Sequence, residues 1–164
     1  MRYWLDTEFI EDGKTIDLIS IGVVCEDGRE FYRESNEVDW RKASGWIYEN
    51  VLPHLLPHPE RVSRWQIADE LKAFVSIGAD EENHAELWAY YGDYDWVVLC
   101  QLFGTMMDLP KGWPMYAMDV KQLAMSKGNP PLPEQLSVEH HALSDARWTK
   151  EAWAFLEYYT NNTK

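Results

Sequence analysis

Long apolar runs and paired cysteines are both missing from this sequence of 164 residues. No stretch reaches the eighteen or more apolar residues of a membrane-spanning helix, which disfavours a transmembrane protein. The first residues lack the apolar run and cleavage site of a signal peptide, so we expect a cytoplasmic protein with no membrane partner. Cys25 and Cys100 have no metal-binding spacing and lie in apolar runs, which predicts buried free thiols.

Positive charge is also scarce, because 15 Lys and Arg residues stand against 28 Asp and Glu residues, and the formal net charge is −13. Proteins that bind long nucleic acids neutralise phosphates with Lys and Arg, so this balance disfavours such a partner. It is compatible with an enzyme whose carboxylates bind divalent cations and which holds its substrate at one end.

Apolar residues are plentiful, at 46%, and no repeat, low-complexity tract or linker interrupts the chain. This favours a single domain over residues 1-164. β-forming runs separated by glycine turns predict a three-strand meander, followed by alternating helices and strands. The predicted strands cover 2–5, 15–25, 29–33, 86–91 and 115–118, and the predicted helices cover 40–51, 59–77, 93–103, 120–126 and 142–159. This order is typical of an α/β fold with a mixed β-sheet flanked by helices.

The first candidate motif is Asp6-Thr7-Glu8, at the end of the first predicted strand. Side chains two apart on a strand point to the same face, so the two carboxylates suit a shared divalent cation. Apolar neighbours place them near the core, where unpaired carboxylates are costly. An acidic strand end in solvent is the alternative, because so short a motif is weak alone.

The second candidate follows the predicted strand 86–91, where Asp93 and Asp95 open a helix. Ligand-binding residues gather at the carboxyl ends of strands in α/β sheets. Asp93 fits a helix N-cap, whereas Asp95 would lie in the first turn and face the strand ends.

The third candidate is the segment from His140 to Asp145, which opens the last predicted helix. Helical spacing favours His141, because residues four apart share a face and Asp145 lies four residues later. If the helix begins after His140, that histidine lies on the preceding loop and is free to swing toward solvent. A loop histidine and a surface carboxylate near a helix N-terminus are the alternative for this segment.

In this order, the three motifs resemble the DEDD exonuclease superfamily, in its His-containing subgroup. Asp6 and Glu8 match its first motif, Tyr94-Asp95 matches the aromatic-Asp pair of its second, and His-x-Ala-Leu-x-Asp-Ala from His140 matches its third. The run Asp-Thr-Glu-Phe-Ile-Glu-Asp-Gly, with the Ile-Asp-Leu-Ile-Ser-Ile-Gly-Val-Val that follows, is similar to the ribonuclease-T-like branch, including the polyadenylate-specific 3′-exoribonuclease AS group.

This resemblance implies a ribonuclease-H-like fold and a 3′→5′ exoribonuclease that releases nucleoside 5′-monophosphates from single-stranded or overhanging RNA 3′ ends. It implies two Mg²⁺ or Mn²⁺ ions per active site, and a homodimer. It also favours Asp95 over Asp93 and His140 over His141. The implied metal ligands are Asp6, Glu8, Asp95 and Asp145, with His140 as the general base.

Two aromatic residues are the predicted substrate contacts. Phe9 follows the first motif and would stack on the terminal base, with core packing as the alternative. Tyr91 stands where many relatives have an asparagine that contacts the nucleotide, which predicts stacking in place of a hydrogen bond. A DNA exonuclease and a catalytically silent interaction module on the same fold are the competing functions.

Overall fold

The computed structural model describes residues 1–76 and 84–162, and a five-stranded mixed sheet lies at its centre. The spatial order of the strands is β3-β2-β1-β4-β5. The first three form an antiparallel meander, and β4 and β5 run parallel to β1. The strands are β1 (Arg2–Glu11), β2 (Ile16–Cys25), β3 (Glu30–Glu34), β4 (Glu86–Ala89) and β5 (Met118–Asp119). The predicted α/β fold with a mixed sheet is therefore confirmed.

Helices connect and cover these strands. They are α1 (Gly45–Asn50), α2 (Arg64–Ser76), α3 (Asp93–Phe103), α4 (Val120–Ser126) and α5 (Ala142–Asn162). The helices predicted over 93–103 and 120–126 are confirmed with those bounds. The last helix begins where predicted and continues beyond residue 159.

The core is built on both faces of the sheet, because side chains alternate along β1. Tyr3 and Leu5 pack with residues of α2 and α3, whereas Trp4 packs with residues of α4 and α5. Cys25 and Cys100 are buried free thiols, as predicted. Within the described ranges, no helix has the length and apolarity needed to cross a membrane.

Two predicted helices begin differently in the structure. The helix predicted over 40–51 is wrong, because a 3-10 turn at Trp40–Lys42 ends before Ser44, whose hydroxyl caps α1. The helix predicted over 59–77 begins too early, because Val62 forms an isolated bridge with Ser35 before α2 starts. Its predicted last residue, Ile77, lies outside the described residues.

Three predicted strands also differ from the structure by more than one residue. The first does not end before the acidic motif, because β2 stays paired with β1 as far as Glu11. The strand predicted over 86–91 ends at Ala89, because Tyr91 has a positive φ of 56°, which a strand does not accommodate. The strand predicted over 115–118 is instead Met118–Asp119, which pairs with the last two residues of β4.

Candidate active site

Strand β1 places Asp6 and Glu8 on one face of the sheet. Glu8 is buried and Asp6 is partly exposed, so the pair lies at the border between core and solvent. Among the described residues, β4 pairs with β1 only over Arg2–Trp4. The edge of β1 beyond Trp4 is therefore available to side chains from the helices.

Asp95 contacts this edge from the first turn of α3. Its buried carboxylate accepts hydrogen bonds from the Thr7 amide at 2.8 Å and from the Thr7 hydroxyl at 2.6 Å. These bonds hold α3 beside the acidic motif.

Asp93 behaves differently, and its prediction as the N-cap is wrong. Gly92 occupies the N-cap of α3, and Asp93 lies exposed in the first turn. The Gly92 amide donates a hydrogen bond at 2.9 Å to the carboxylate of Asp119, which lies at the junction of β5 and α4.

Gly22 brings the last helix to the same place. It is the β2 partner of Asp6 in the strand register. A Cβ added at Gly22 would lie 2.3 Å from the Leu143 amide nitrogen and 2.4 Å from the Ala142 carbonyl, far inside van der Waals contact. Glycine therefore allows the first turn of α5 to lie directly on the sheet, with Asp145 near Asp6.

Both histidines precede α5, and their side chains have different surroundings. His140 has a left-handed backbone with φ of 61°, a conformation that is costly for a residue other than glycine. Ligand atoms of Glu8, His140 and Asp145 lie within 4.8 Å of one another. His141 instead stacks on Tyr32 with ring centroids 4.6 Å apart, and its Nδ1 accepts the Ser144 amide at 3.4 Å.

The structure thus brings His140, and not His141, beside the carboxylates. The charges of Asp95, Glu8 and Asp145 also act on Asp6, so the four predicted metal ligands lie in one neighbourhood, with Glu8 and Asp145 grouped closely with His140. The catalytic roles of these five residues stay predictions.

Crowding and burial alter the ionisation of the four carboxyl groups. Burial holds the pKa of Asp6 well above its usual range, and the charges of Asp95, Glu8 and Asp145 raise it further. Burial raises the pKa of Glu8 to about 8, with Asp145 and Asp95 adding to the rise. Without a cation, these groups resist ionising together.

The other two carboxyl groups, Asp95 and Asp145, also have raised pKa values, and hydrogen bonds oppose the rise in each. Burial raises the pKa of Asp95 to about 6, and the hydrogen bonds from Thr7 limit the rise. Burial also raises the pKa of Asp145, against hydrogen bonds from Gln135 and the backbone of His140. Thr7 on β1 therefore limits the rise in the pKa of Asp95, whereas Gln135 and His140, which precede α5, limit the rise in the pKa of Asp145.

The donor set fits a hard divalent cation. Four carboxyl groups supply oxygen ligands, which is the chemistry that Mg²⁺ and Mn²⁺ select. Asp6, His140 and Asp145 line a cavity of about 340 Å³, together with Tyr90, Gln135 and other side chains. The acidic cluster is therefore reachable from solvent.

The two predicted substrate contacts have different surroundings. Phe9 is half-buried and packs against Tyr94, with ring centroids 5.6 Å apart. Tyr91 is exposed and packs edge-to-face on Tyr90, which lines the 340 Å³ cavity. Their roles in substrate binding stay predictions.

Four further residues around the cluster were not singled out from the sequence. Thr7 and Gly22 had a visible signal, since one lies inside the acidic motif and the other interrupts a β-forming run. Gln135, whose amide donates to Asp145, and Trp46, whose ring meets His140, had none.

Solved structures of nucleases share the fold of this chain, a mixed five-stranded sheet flanked by helices. One is a 3′-exonuclease that recognises the 3′ end of histone mRNA stem-loops, with a TM-score of 0.58, 12% identity, and coverage of 96% of this chain and 63% of that one. Another is cell-death related nuclease 4, with a TM-score of 0.55, 10% identity, and coverage of 98% and 64%. These identities show the fold alone.

The family is shown by closer similarity. The model of the Rv2179c-like 3′-5′ exoribonuclease domain matches residues 1–157. Two proteins from strains of Mycobacterium tuberculosis, named 3′-5′ exoribonuclease MT2234.1 and 3′-5′ exoribonuclease Rv2179c, are each 48% identical over 149 residues, which cover 90% of this chain and 88% of theirs. The chain belongs to the Rv2179c-like 3′-5′ exoribonuclease domain family.

Proposed function

We propose that this protein is a divalent-metal-dependent 3′→5′ exoribonuclease, built as a single domain over residues 1-164 and acting in the cytoplasm. The observation that carries the proposal is the convergence of four carboxyl groups and one imidazole at the edge of β1. Family membership and the names of the Mycobacterium tuberculosis relatives support RNA as the substrate. The family resemblance implies a homodimer, and we propose that oligomeric state for this protein.

Each polar group has a role in the proposed reaction. Asp6, Glu8, Asp95 and Asp145 would hold two Mg²⁺ or Mn²⁺ ions, and His140 would act as the general base. Bound ions would acidify the attacking water and stabilise charge on the leaving 3′ oxygen. Bound cations would neutralise the crowded carboxylates, whose pKa values burial and mutual repulsion raise.

The proposed reaction is a hydrolysis of the last phosphodiester bond of the RNA. His140 takes a proton from water, and the resulting hydroxide attacks the phosphorus of the last phosphodiester. The P–O3′ bond breaks, and the 3′ oxygen takes up a proton. The products are a nucleoside 5′-monophosphate and an RNA shortened by one residue with a new 3′ hydroxyl.

Two aromatic side chains near the carboxylate cluster would contact the substrate. Phe9 and Tyr91 would stack on bases near the 3′ end, since base stacking contributes about 1–3 kcal/mol and tolerates any base. Stacking needs no positive charge, which agrees with a net charge of −13.

Digestion of 5′-labelled RNA and matched DNA oligonucleotides, with Mg²⁺ or with EDTA, tests the proposal. We expect metal-dependent shortening of RNA from the 3′ end and release of mononucleotides. Asp6→Asn should abolish this activity, whereas Asp93→Asn, a matched change on the exposed first turn of α3, should preserve it. Equal or preferential cleavage of DNA would contradict the RNA assignment. No metal-dependent release from either polymer would support a catalytically silent module.

A further inference from the structure

A second cavity of about 300 Å³ lies beside the carboxylate cluster. Glu8 lines this cavity as well as belonging to the cluster, and the aromatic walls are Phe9 and Trp46. We call it the Trp46 cavity. Its volume lies at the lower end of the range of roughly 300–1,000 Å³ that small-molecule sites occupy.

Trp46 is held at this cavity by its neighbours on α1. Ile47 is buried in a cluster with Ile10, Ile19 and Val51, which anchors the helix against β1 and β2. The hydroxyl of Ser44 accepts the Ile47 amide and caps the helix. Trp46 itself is 50% exposed, so part of its ring is available to a ligand.

The same indole ring touches His140. The two ring centroids lie 4.7 Å apart with an interplanar angle of 76°, an edge-to-face contact. His140 lies on the loop before α5 with a left-handed backbone. One side chain therefore contacts both the Trp46 cavity and the imidazole that faces the carboxylates.

We propose that the Trp46 cavity receives the base of the 3′-terminal nucleotide and that Trp46, held by that base, positions the imidazole of His140. This inference rests on the proposed function. A general base must lie within hydrogen-bonding reach of the water that it deprotonates, and small misplacements are costly in rate. The terminal base thus contributes to the chemical step as well as to binding.

A kinetic cycle tests this coupling in the full-length, metal-loaded enzyme. The substrates are two oligoribonucleotides that differ only in whether the 3′-terminal ribose carries a base. The enzymes are the wild type, Trp46→Ala and Trp46→Phe, with Trp65→Ala, a change of an exposed tryptophan on α2, as the control. Single-turnover rates at saturating enzyme separate the chemical step from binding.

We expect removal of the base to slow the saturated rate of the wild type by roughly fivefold to 150-fold, the factors that correspond to about 1–3 kcal/mol of stacking. Trp46→Ala should show a similar loss on the intact RNA and little further loss on the abasic RNA. Trp46→Phe should recover most of the rate, and Trp65→Ala should behave as the wild type.

Two outcomes would overturn the coupling. If the two losses multiply, the base and Trp46 act independently. If Trp46→Ala changes only the concentration needed for saturation, Trp46 serves binding alone. Failure of the proposed function is distinguishable, because the wild type would then release no nucleotide from the intact RNA.

A spectroscopic measurement tests the same contact without turnover. The ring current of Trp46 should shift the Cε1–H proton of His140, which a His140→Ala spectrum assigns. Adenosine 5′-monophosphate should move this signal in the wild type, and ribose 5-phosphate, which lacks the base, should move it much less. Equal shifts with both ligands would contradict a role for the base, and so would a signal unchanged by Trp46→Phe and Trp46→Ala.

Discussion

The carboxylate of Asp95 accepts two hydrogen bonds from Thr7, one from its amide and one from its hydroxyl. The two residues are 88 positions apart in the chain. This pair joins the first turn of α3 to the free edge of β1, and both side chains are buried. The pair therefore holds α3 in place beside the acidic motif. The same bonds also limit the rise in the pKa of Asp95.

Thr7→Val should lower both stability and metal binding. The change keeps the shape of the side chain but removes one hydrogen bond to a buried carboxylate, at an expected cost of about 1–3 kcal/mol in the free energy of unfolding. Urea denaturation without metal and a Mn²⁺ titration would measure the two effects. Thr15→Val is the matched control, because its hydroxyl bonds to Asp12 at the exposed surface. Equal stability losses in both variants would contradict the structural role of Thr7.

Gly22→Ala should displace α5 from the sheet. The new methyl group would overlap backbone atoms of Ala142 and Leu143, which cannot swing aside as a flexible side chain does. We expect destabilisation of about 1–3 kcal/mol or more, with loss of nuclease activity. Gly45→Ala is the control for stability, because an added Cβ there meets no atom within 4 Å. Wild-type activity in a folded Gly22→Ala variant would show that the approach of α5 is not required.

His140→Ala should lower chiefly the reaction rate, whereas His141→Ala should lower chiefly the stability. The first removes the proposed general base, so we expect a rate loss of roughly 10²–10⁴ with stability little changed. The second removes the stack on Tyr32 and the contact with the Ser144 amide, so we expect lower stability and a milder rate loss. Saturating rates and thermal unfolding midpoints separate the two cases. A crippled His141→Ala beside a mildly affected His140→Ala would reverse the assignment.

The metal-free protein should lose stability as pH rises from about 4 to about 8. Glu8 and Asp95 have folded-state pKa values of about 8 and about 6, above the values near 4 of unfolded carboxyl groups. A raised folded-state pKa stabilises fully below the unfolded pKa, and this contribution is lost as pH rises through the folded pKa. Mg²⁺ should reduce the loss, because it binds the ionised groups.

Urea midpoints between pH 5 and pH 8, with EDTA or with Mg²⁺, would measure this dependence. Glu8→Gln should flatten its upper part, since the group that titrates near pH 8 is gone. Metal-free stability that rises from pH 5 to pH 8 would contradict the shifted ionisation.

Local patterns accounted for much of the site. Strand alternation predicted that Asp6 and Glu8 share a face, and the turn before α3 predicted that Asp95 lies near the strand ends. The choice of His140 over His141 needed the family resemblance, because spacing along a helix favours His141. The structure explains why spacing misled: both histidines precede α5, so the helical rule does not apply to either of them.

Long-range contacts account for what the sequence could not indicate. Trp46 and His140 meet across 94 positions, and nothing near either residue signals the other. The helix predicted over 40–51 failed for a local reason instead, since the 3-10 turn Trp40–Lys42 ends before Ser44, which caps a new helix. The position of Trp46 depends on that break.

The register of Asp6 opposite Gly22, beneath the first turn of α5, has a consequence for synthesis. The proposed catalytic set needs both the sixth residue of the chain and the one hundred and forty-fifth. A chain still growing on the ribosome gains Asp145 only 139 positions after Asp6, and long-range pairing must follow before the site closes. We therefore expect a nascent chain that lacks Asp145 to have no exonuclease activity.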